Sequence, residues 1–476
     1  MAISARVAVQ ASLSAMITAM TTSVWEEIDR ARLAELTAAE RDRYAAEHPR
    51  SRELFARTSN SLLGGVPMSW MTKWAAGFPP ALAEARGVRV TDVDGFEYVD
   101  LCLGDTGAMA GHAPAPVVDA VAKRASSGIT AMLPTEDAAW VGEELARRFG
   151  VPRWQFALTA TDANRWVLRM ARHITRRPKV LVFSWCYHGT VDETFVIRDP
   201  DGRPRSRPGN VGPAVDPATT SKVVEFNDVP ALEDALSDRD VACVLTEPAL
   251  TNIGIVLPEP GFHDALRELT RATGTLLVID ETHTLSAGPG GMTQAEGLQP
   301  DLVTIGKAIA GGVPIGAYGM TEEVAERILH APDADLEDVG GVGGTLAGNA
   351  LSLAAARATL GEVLTPEAHE RMTGLSRRLT EGVDRTLAER GVPWHITRLG
   401  ARAEYRFRAQ PPRTGAEAEA AGDAELDDFM HVFLMNRGVL LTPFHNMTLM
   451  CPATTESDVD RHDEAFAEAL DALLGG

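Results

Sequence analysis

The chain has 476 residues, of which 45% are hydrophobic and 23% charged, so its composition is typical of a globular protein with a large core. Its 45 Lys and Arg residues stand against 66 Asp and Glu, and the net charge of −21 disfavours nucleic acid and anionic membranes, which we exclude as partners. The four cysteines are far apart and form no CxxC pair, which favours a reducing, cytoplasmic location and indicates neither disulfides nor a metal site.

The first part of the chain predicts an N-terminal segment of residues 23–115 that joins a small domain. Residues 1–22 are rich in Ser and Ala and lack acids, so we weigh a targeting peptide against an unstructured or mis-started N-terminus and favour the latter. Residues 23–57 have helical periodicity and predict a surface helix. A Gly/Pro-rich passage and two strand-like runs follow, and Asp94-Gly95 between those runs is a hairpin signal.

Residues 116–350 alternate short apolar runs with amphipathic helical stretches; the runs include "KVLVF", "ACVLTEP", "LLVIDE" and "DLVTIG". Strands that are apolar at successive positions are buried on both faces, and helices between them supply the crossover connections. The pattern therefore predicts a large α/β domain with a doubly wound, mostly parallel sheet. Residues 351–476 mix helical and strand-like pieces, which indicates a smaller α+β domain.

Charged residues lie at the ends of three predicted strands: Glu247 ends "ACVLTE", Asp280 ends "LLVID" and Lys307 follows "LVTIG". Ligands of open α/β sheets bind at the carboxyl ends of strands, although a single charge there also fits simple exposure to solvent. An aspartate in this place can pair with a protonated ring nitrogen, and a partly desolvated lysine can attack an aldehyde. Pyridoxal phosphate requires both groups, so we predict it as the cofactor.

Two further stretches are candidates for holding that cofactor. The stretch "FALTATDAN" leads from a strand into a helix, so backbone N–H groups near Ala160 and Thr161 could bind a phosphate, while the same letters also form an ordinary N-cap. Tyr187 and His188 follow another buried strand, where an aromatic ring could stack on a flat cofactor or simply belong to the core.

Several motifs resemble those of one enzyme family. They are "VIDETHT…LQPDLVTIGKAIAGGVPIGAYG", "WCYHGT", "TEPALTNIGIVLPEPGF" and "GGTLAGNALSLAAA". They are similar to the class III, fold-type I pyridoxal-phosphate aminotransferases, and within that family to glutamate-1-semialdehyde 2,1-aminomutase and its relatives. The resemblance runs from about Thr58 to the C-terminus, and it is most specific between Glu247 and Asn349.

The resemblance implies roles for individual residues. Lys307 would form the Schiff base with the cofactor and move the substrate proton, and Asp280 would form a salt bridge with the ring nitrogen. The other matching positions are Ala160 and Thr161 at the phosphate, Tyr187 and His188 at the ring, Thr282 where a valine usually packs on the ring, and Thr345, which would reach the phosphate of the neighbouring subunit in a homodimer.

The substrate pocket departs from that of the aminomutase. Glu247 and Asn252 match positions that line the family's pocket. His283 is unexpected, and it is either an interior residue whose hydrogen bonds are satisfied within the protein or a substrate contact. The arginine with which the aminomutase binds its substrate carboxylate has no counterpart near Trp70. Trp70 and Trp74 instead predict a more apolar pocket wall.

We therefore expect a transaminase that moves an amino group between an amine or amino acid and a carbonyl acceptor, both small molecules. One alternative is an aminomutase-like shift within a single substrate. Another is a protein without catalysis that keeps the fold for binding or assembly. The second alternative is disfavoured because a buried amine and a buried acid would be costly in a mere scaffold.

Overall fold

The computed structural model describes residues 28–331 and 341–475, so the prediction for residues 1–22 lies outside the described residues. Within these ranges the chain folds around a seven-stranded sheet flanked by helices, and one of the smaller sheets combines strands from both ends of the chain. No helix in the described ranges is long and apolar enough to cross a membrane.

Helices and strands alternate through most of the described chain. The helices are α1 (Arg30–Glu47), α2 (Pro49–Thr58), α3 (Ala115–Ala125), α4 (Glu136–Phe149), α5 (Ala160–Thr175), α6 (Pro217–Thr220), α7 (Val229–Ser237), α8 (Phe262–Thr273), α9 (Gly291–Ala295), α10 (Glu322–Leu329), α11 (Ala350–Ala358), α12 (Pro366–Arg390), α13 (Gly415–Ala420), α14 (Ala424–Met435) and α15 (Glu456–Leu474). The strands are β1 (Leu82–Arg86), β2 (Arg89–Asp92), β3 (Glu97–Asp100), β4 (Arg153–Ala157), β5 (Lys179–Phe183), β6 (Val196–Arg198), β7 (Pro204–Ser206), β8 (Ser221–Val224), β9 (Val241–Thr246), β10 (Leu276–Asp280), β11 (Leu302–Gly306), β12 (Gly316–Met320), β13 (His395–Leu399), β14 (Arg402–Arg406), β15 (Val439–Leu440) and β16 (Met447–Leu449).

The large sheet has the strand order β4-β12-β11-β10-β9-β5-β8. The neighbours from β11 to β8 pair in parallel, and β12 is antiparallel to both β11 and β4. Every residue of β9, β10 and β11 is buried. The predicted α/β architecture with a doubly wound, mostly parallel sheet is confirmed.

Side chains of the central strand β11 enter two different apolar cores. On β11, Leu302 packs in a core with residues of β9 and β10, whereas Val303 and Ile305 pack in a second core. Successive side chains of a strand point to opposite faces, so a strand that is apolar at every position supplies both cores at once. This is the physical basis of the unbroken apolar runs in the sequence.

The two ends of the described chain meet in a four-stranded sheet of β1, β2, β3 and β15. The hairpin of β2 and β3 forms around Asp94-Gly95 as predicted, and β15 from the C-terminal part pairs in parallel with β3. The C-terminal part of the chain also forms a three-stranded antiparallel sheet of β13, β14 and β16. Helix α1 packs against α14, so the N-terminal helices are attached to the C-terminal part of the protein.

The surface helix expected over residues 23–57 is, in its described part, two helices, which corrects that prediction. Helix α1 ends at Glu47 and α2 begins at Pro49. The residue before a proline avoids the α conformation, and His48 accordingly has φ −119° and ψ 53°. His48 is buried, and its Nε2 lies 2.7 Å from the hydroxyl of Tyr98, so the break is anchored in the core.

Candidate active site

A cavity of ≈ 310 Å³ lies at the carboxyl ends of β10 and β11, beside the start of α5. Its size is at the lower end of the range for small-molecule sites, which is about 300–1,000 Å³. The structure brings together in its wall many of the residues predicted from the sequence. They are Trp70, Ala160, Thr161, Tyr187, Asp280, Thr282, His283 and Lys307.

Asp280, the last residue of β10, is held by three hydrogen-bond donors. Its Oδ2 accepts from Nδ2 of Asn164 at 2.8 Å and lies 2.9 Å from Nδ1 of His188, and its Oδ1 accepts from the backbone N–H of Thr282 at 3.0 Å. Burial alone would raise the pKa of Asp280, but the hydrogen bonds, first that of His188, lower it below its ordinary value. The carboxylate is therefore kept ionised at the edge of the cavity.

His188 supports Asp280 from behind. Its side chain is fully enclosed, and burial alone would lower its pKa, but the neighbouring Cys186 and Asp280 raise that pKa well above its usual value. A protonated His188 and an ionised Asp280 thus form a buried ion pair. Asn164 of α5 also donates to the backbone carbonyl of His188 at 3.1 Å, which ties both residues to the helix.

Lys307 follows β11 in an unusual backbone conformation. Its φ is +48°, in the left-handed region that costs roughly 1–2 kcal/mol for a residue with a side chain. Its Nζ donates to Oδ2 of Asp105 at 2.7 Å, in the loop after β3. Burial alone would raise the pKa of Asp105, but Lys307 lowers it strongly. Backbone strain of this kind is found at functional sites, where the surrounding structure holds it in place.

His283 connects Lys307 to a buried guanidinium. Its Nε2 lies 2.9 Å from Nζ of Lys307, and its Nδ1 lies 2.9 Å from Nη2 of Arg402 and 3.0 Å from the hydroxyl of Thr106. Burial and the positive charges of Lys307 and Arg402 hold the pKa of His283 well below its usual value, so the ring is neutral. A guanidinium and an ammonium only donate, and a neutral imidazole has a single accepting nitrogen, so His283 accepts from Arg402 or from Lys307 but not from both at once.

The start of α5 faces the same cavity. The hydroxyl of Thr159 caps the helix by accepting from the backbone N–H of Asp162 at 3.1 Å, so Ala160 and Thr161 occupy the first two helical positions. Two glycines, Gly189 and Gly316, allow neighbouring backbone segments to approach the start of α5 closely. A Cβ on Gly316 would lie 2.2 Å from the carbonyl oxygen of Thr159, and one on Gly189 would lie 2.0 Å from Oγ1 of Thr161. The first amides of the helix and its dipole favour an anion there.

Aromatic rings form another side of the cavity. The ring of Trp70 meets that of Tyr187 edge-on, with centroids 5.6 Å apart, and meets that of Phe444 at 5.3 Å. Burial raises the pKa of Tyr187 to about 12, so its hydroxyl stays protonated at neutral pH. Trp70 comes from a short 3-10 helix, Ser69–Lys73, so the N-terminal segment contributes directly to this wall.

Besides His188, which lies behind Asp280, and Trp74, which lines a neighbouring cavity, three predicted residues lie outside this cavity. Glu247 is buried behind it, where its carboxylate accepts from the backbone N–H groups of Tyr187 at 3.3 Å and Thr251 at 3.1 Å. The side-chain oxygen of Asn252, in the orientation that satisfies its neighbours, accepts from Arg207 at 3.0 Å. Thr345 lies in a separate surface cavity next to Asn349.

The sequence analysis missed Asp105, Asn164 and Arg402. Asp105 follows a predicted strand in the loop "CLGDTG", and an acid among glycines there is a weak signal that could have been noted. Asn164 lies one turn into α5 on its buried face. Arg402 begins β14 and is 1% exposed, but no local pattern distinguishes it from the arginines at 398 and 406.

Comparison with known proteins identifies the family. Residues 71–473 match the family model described as "Aminotransferase class-III". A relative named glutamate-1-semialdehyde 2,1-aminomutase 2, from Brevibacillus brevis, is 33% identical over 432 residues, which cover 88% of this chain and 98% of that protein.

Solved structures agree with this match. A glutamate-1-semialdehyde aminomutase from Pseudomonas aeruginosa PAO1 is 51% identical, with a TM-score of 0.91 over 94% of this chain and 100% of that one, and a variant of it was solved in complex with PMP. An omega-transaminase from Sphaerobacter thermophilus is 30% identical, with a TM-score of 0.80 over 89% of this chain and 97% of that one. The chain therefore belongs to the class III aminotransferase family of fold-type I enzymes.

Proposed function

We propose that this enzyme moves an amino group between an amine or amino acid and a separate carbonyl compound, with Lys307 and Asp280 as its catalytic residues and pyridoxal phosphate as its cofactor. The observation that carries the proposal is a single cavity faced by an amine, an ionised buried acid and a helix N-terminus. The amine can bind the aldehyde of the cofactor, the acid can pair with its ring nitrogen, and the helix N-terminus can bind its phosphate.

The residues present fit the cofactor. Asp280 keeps its charge although it is buried, and the close approach of Gly189 and Gly316 leaves the start of α5 accessible from the cavity. The ring of Tyr187 provides an aromatic surface beside it. When bound, pyridoxal phosphate supplies an aldehyde that condenses with amines and a protonated ring that withdraws electrons from the substrate carbon.

Asp280 and His188 act as one unit. Asp280 would pair with the ring nitrogen of the cofactor, and an ionised acid at that position favours the protonated nitrogen. His188 and Asn164 fix the carboxylate from the side away from the cavity. Because the pair is buried, its orientation is set before any ligand binds, and no water has to be displaced from it during the reaction.

Lys307 would carry the cofactor and transfer the substrate proton at Nζ. Asp105 and His283 hold Nζ between an acceptor at 2.7 Å and the imidazole Nε2 at 2.9 Å. The neutral ring of His283, which also contacts Arg402, lies against Nζ and limits the positions that the lysine side chain can take. We therefore assign His283 as a positioning residue. It is buried, as expected for an interior residue, and it also lines the pocket, as a substrate contact would.

Transfer to a separate acceptor is favoured over the aminomutase reaction by the residue at position 70. Trp70 lines the cavity where an arginine would bind a substrate carboxylate, and the nearby Lys73 lies 5.8 Å above the ring of Phe444. A shift of the amino group within one substrate remains the second candidate. The names of the Brevibacillus and Pseudomonas relatives favour it.

A homodimer is supported by the surface around Thr345. The cavity that contains Thr345 is also lined by exposed apolar residues: Ile129 is 41%, Met132 81% and Leu133 73% exposed. Contiguous apolar surface of this kind is typical of an interface between subunits. Covering it with a second copy would bring a hydroxyl from Thr345 into the partner's site, as the family resemblance implies.

The test is a spectroscopic one. The purified protein, saturated with pyridoxal phosphate, is reduced with borohydride, and the labelled peptide is mapped; we expect the label on Lys307 and none on Lys73. A single amino donor is then added without an acceptor. A transaminase converts its cofactor to a form that absorbs at shorter wavelength and releases one equivalent of free carbonyl product. A label elsewhere, or conversion without any released carbonyl, would overturn the proposal.

A further inference from the structure

A second, larger cavity opens beside Lys307. Its volume is ≈ 690 Å³, and we call it the apolar chamber. Its wall comes from α2, from the 3-10 helices that follow α2 and from the loop before β16. The side chains that define it are Leu54, Phe55, Trp70, Met71, Trp74 and Phe444.

The chamber adjoins the cofactor-sized cavity. Trp70 and Lys307 line both spaces, so the chamber borders the reacting lysine. A molecule whose reacting nitrogen or carbonyl carbon lies at Lys307 can therefore extend its remaining atoms into the chamber. The geometry makes the chamber part of the reaction site rather than an unrelated groove.

The wall offers no partner for a charged group far from Lys307. Among the described residues that line the chamber, those charged at neutral pH are Asp105 and Lys307, and they pair with each other at 2.7 Å. A carboxylate or ammonium packed against this wall would give up water without gaining a counter-ion from the wall, which is unfavourable. A hydrocarbon group gives up no hydrogen bonds to water when it enters the chamber, and it packs against four aromatic rings.

We propose that the apolar chamber binds a hydrocarbon or aromatic group of the substrate, so that the enzyme acts on amines, amino acids or carbonyl compounds that carry a bulky apolar group. This inference rests on the proposed function, because it assigns the substrate of the same site. It predicts that reactivity follows the apolar length of the molecule beyond its amino group. The substrate of the aminomutase relatives, which is named as a glutamate derivative, would leave the chamber unfilled.

The experiment compares ethylamine, hexylamine and 6-aminohexanoate in the first half of the reaction with the cofactor-saturated enzyme, followed by absorbance. We expect kcat/KM for hexylamine to exceed that for ethylamine by at least about 10-fold, because each methylene in an apolar pocket contributes roughly this factor. The terminal carboxylate of 6-aminohexanoate should lower kcat/KM at least about 10-fold relative to hexylamine. Equal values for the three amines would overturn the inference while the proposed function stands.

A matched pair of variants locates the effect. Leu54→Asp places a charge in the chamber wall, whereas Leu63→Asp changes a leucine that is 97% exposed and lies outside the wall. We expect the first variant to remove the preference for hexylamine and the second to keep it. Phe55→Ala, which adds no charge, should weaken the preference several-fold and covers the case in which Leu54→Asp does not fold. A preference retained in both Leu54→Asp and Phe55→Ala would overturn the inference.

Binding of 1-hexanol gives a readout that needs no reaction. Tryptophan fluorescence should change on titration because Trp70 and Trp74 line the chamber, and Leu54→Asp should weaken binding about 10-fold while Leu63→Asp does not. If hexanol binds and neither amines nor amino acids react, the proposed function fails but the apolar occupant stands. If hexanol does not bind, or if its affinity falls as the protein concentration rises because a second copy fills the chamber, the inference is overturned.

Discussion

The cavity at the sheet edge and the apolar chamber share Lys307 but are built by different means. The polar floor, which we define as Asp105, His188, Asp280, His283 and Lys307, is held by hydrogen bonds and opposed charges at distances of 2.7 to 2.9 Å. The chamber is held by apolar contacts of the N-terminal segment with the loop around Phe444. The floor fixes the positions of protons and charges, whereas the chamber sets the size and shape of the group that can bind in it.

The difference explains why the family resemblance is uneven. The motifs that identify the family contain the floor residues Asp280 and Lys307, whereas the departure at position 70 lies in the chamber wall. Chemistry requires particular atoms at particular distances, while an apolar wall can be formed by many residues of suitable volume. One scaffold can therefore keep its reaction and change its substrate, and changes in the two regions should have different kinetic signatures.

The largest effect is expected at the amine of the floor. Lys307→Ala removes the group that carries the cofactor and transfers the proton, and proton transfer by a positioned group alone contributes about 10²–10⁴-fold. We expect kcat of the first half-reaction to fall by at least that factor, measured by stopped-flow absorbance. The control is Lys179→Ala, which removes an amine paired with Asp240 at 3.1 Å away from the site and should leave kcat unchanged.

Asp280→Asn tests whether charge, rather than shape, matters in the floor. The amide has the same outline but no negative charge, and loss of one fixed electrostatic contact to developing charge costs about 10²–10³ in kcat. Asp301 provides a matched control at the start of β11, where it pairs with Arg267 at 2.9 Å. Asp301→Asn should lower stability and leave kcat unchanged. A similar loss of kcat in both variants would contradict the claim that the charge of Asp280 acts on the reaction.

His188→Gln tests, through protein stability, the ion pair of His188 and Asp280 in the floor. The pKa of His188 is raised in the folded protein, so its stabilisation is present below the ordinary pKa of about 6.5 and is lost as the pH rises through the raised value. A hydrogen bond to a charged group contributes about 1.5–3 kcal/mol. Urea unfolding at pH 6, 8 and 10 should show a gap of that size between wild type and variant at pH 6 that shrinks toward pH 10.

The control for that experiment is His330→Gln, which changes an exposed histidine in the same way. Its unfolding midpoint should follow wild type at each pH. A gap for His188→Gln that is constant from pH 6 to pH 10 would show that His188 stabilises by packing and not by its charge.

A change in the chamber should alter selectivity and leave the chemistry intact. Trp70→Arg brings a guanidinium to the junction of the two cavities, where it can bind a carboxylate through two hydrogen bonds. We expect the ratio of kcat/KM for 6-aminohexanoate to that for hexylamine to rise about 10-fold, mainly through KM. Trp70→Leu is the matched control, since it opens similar space without charge and should not raise that ratio.

The smallest effect is expected at the surface around Thr345. If its hydroxyl reaches the partner's cofactor phosphate, Thr345→Ala removes one hydrogen bond, worth about 0.5–1.5 kcal/mol. The Kd for pyridoxal phosphate should rise about 5-fold, measured by fluorescence titration of the purified protein. Thr130→Ala, in the same surface cavity, is the control and should leave Kd unchanged. An unchanged Kd in Thr345→Ala would remove Thr345 from the cofactor site.

Much of the fold and the floor could be predicted because their signals are local. The unbroken apolar runs of β9, β10 and β11 indicated strands buried on both faces, and the parallel sheet then placed Asp280 and Lys307 at one edge. The single helix predicted for residues 23–57 was wrong because Pro49 outweighs the helical period. Periodicity averages over many residues, and one proline changes the backbone at a single point.

The amino-acid sequence by itself determined the buried strands, the acid that ends one of them and the amine that follows another, because an unbroken apolar run is a property of neighbouring residues. Only the tertiary structure brought Asp105 to Lys307 across 202 residues and Arg402 to His283 across 119. Only the tertiary structure formed the apolar chamber, because its walls come from segments far apart in the chain. Such contacts depend on how whole elements pack, and no short stretch of sequence records that packing.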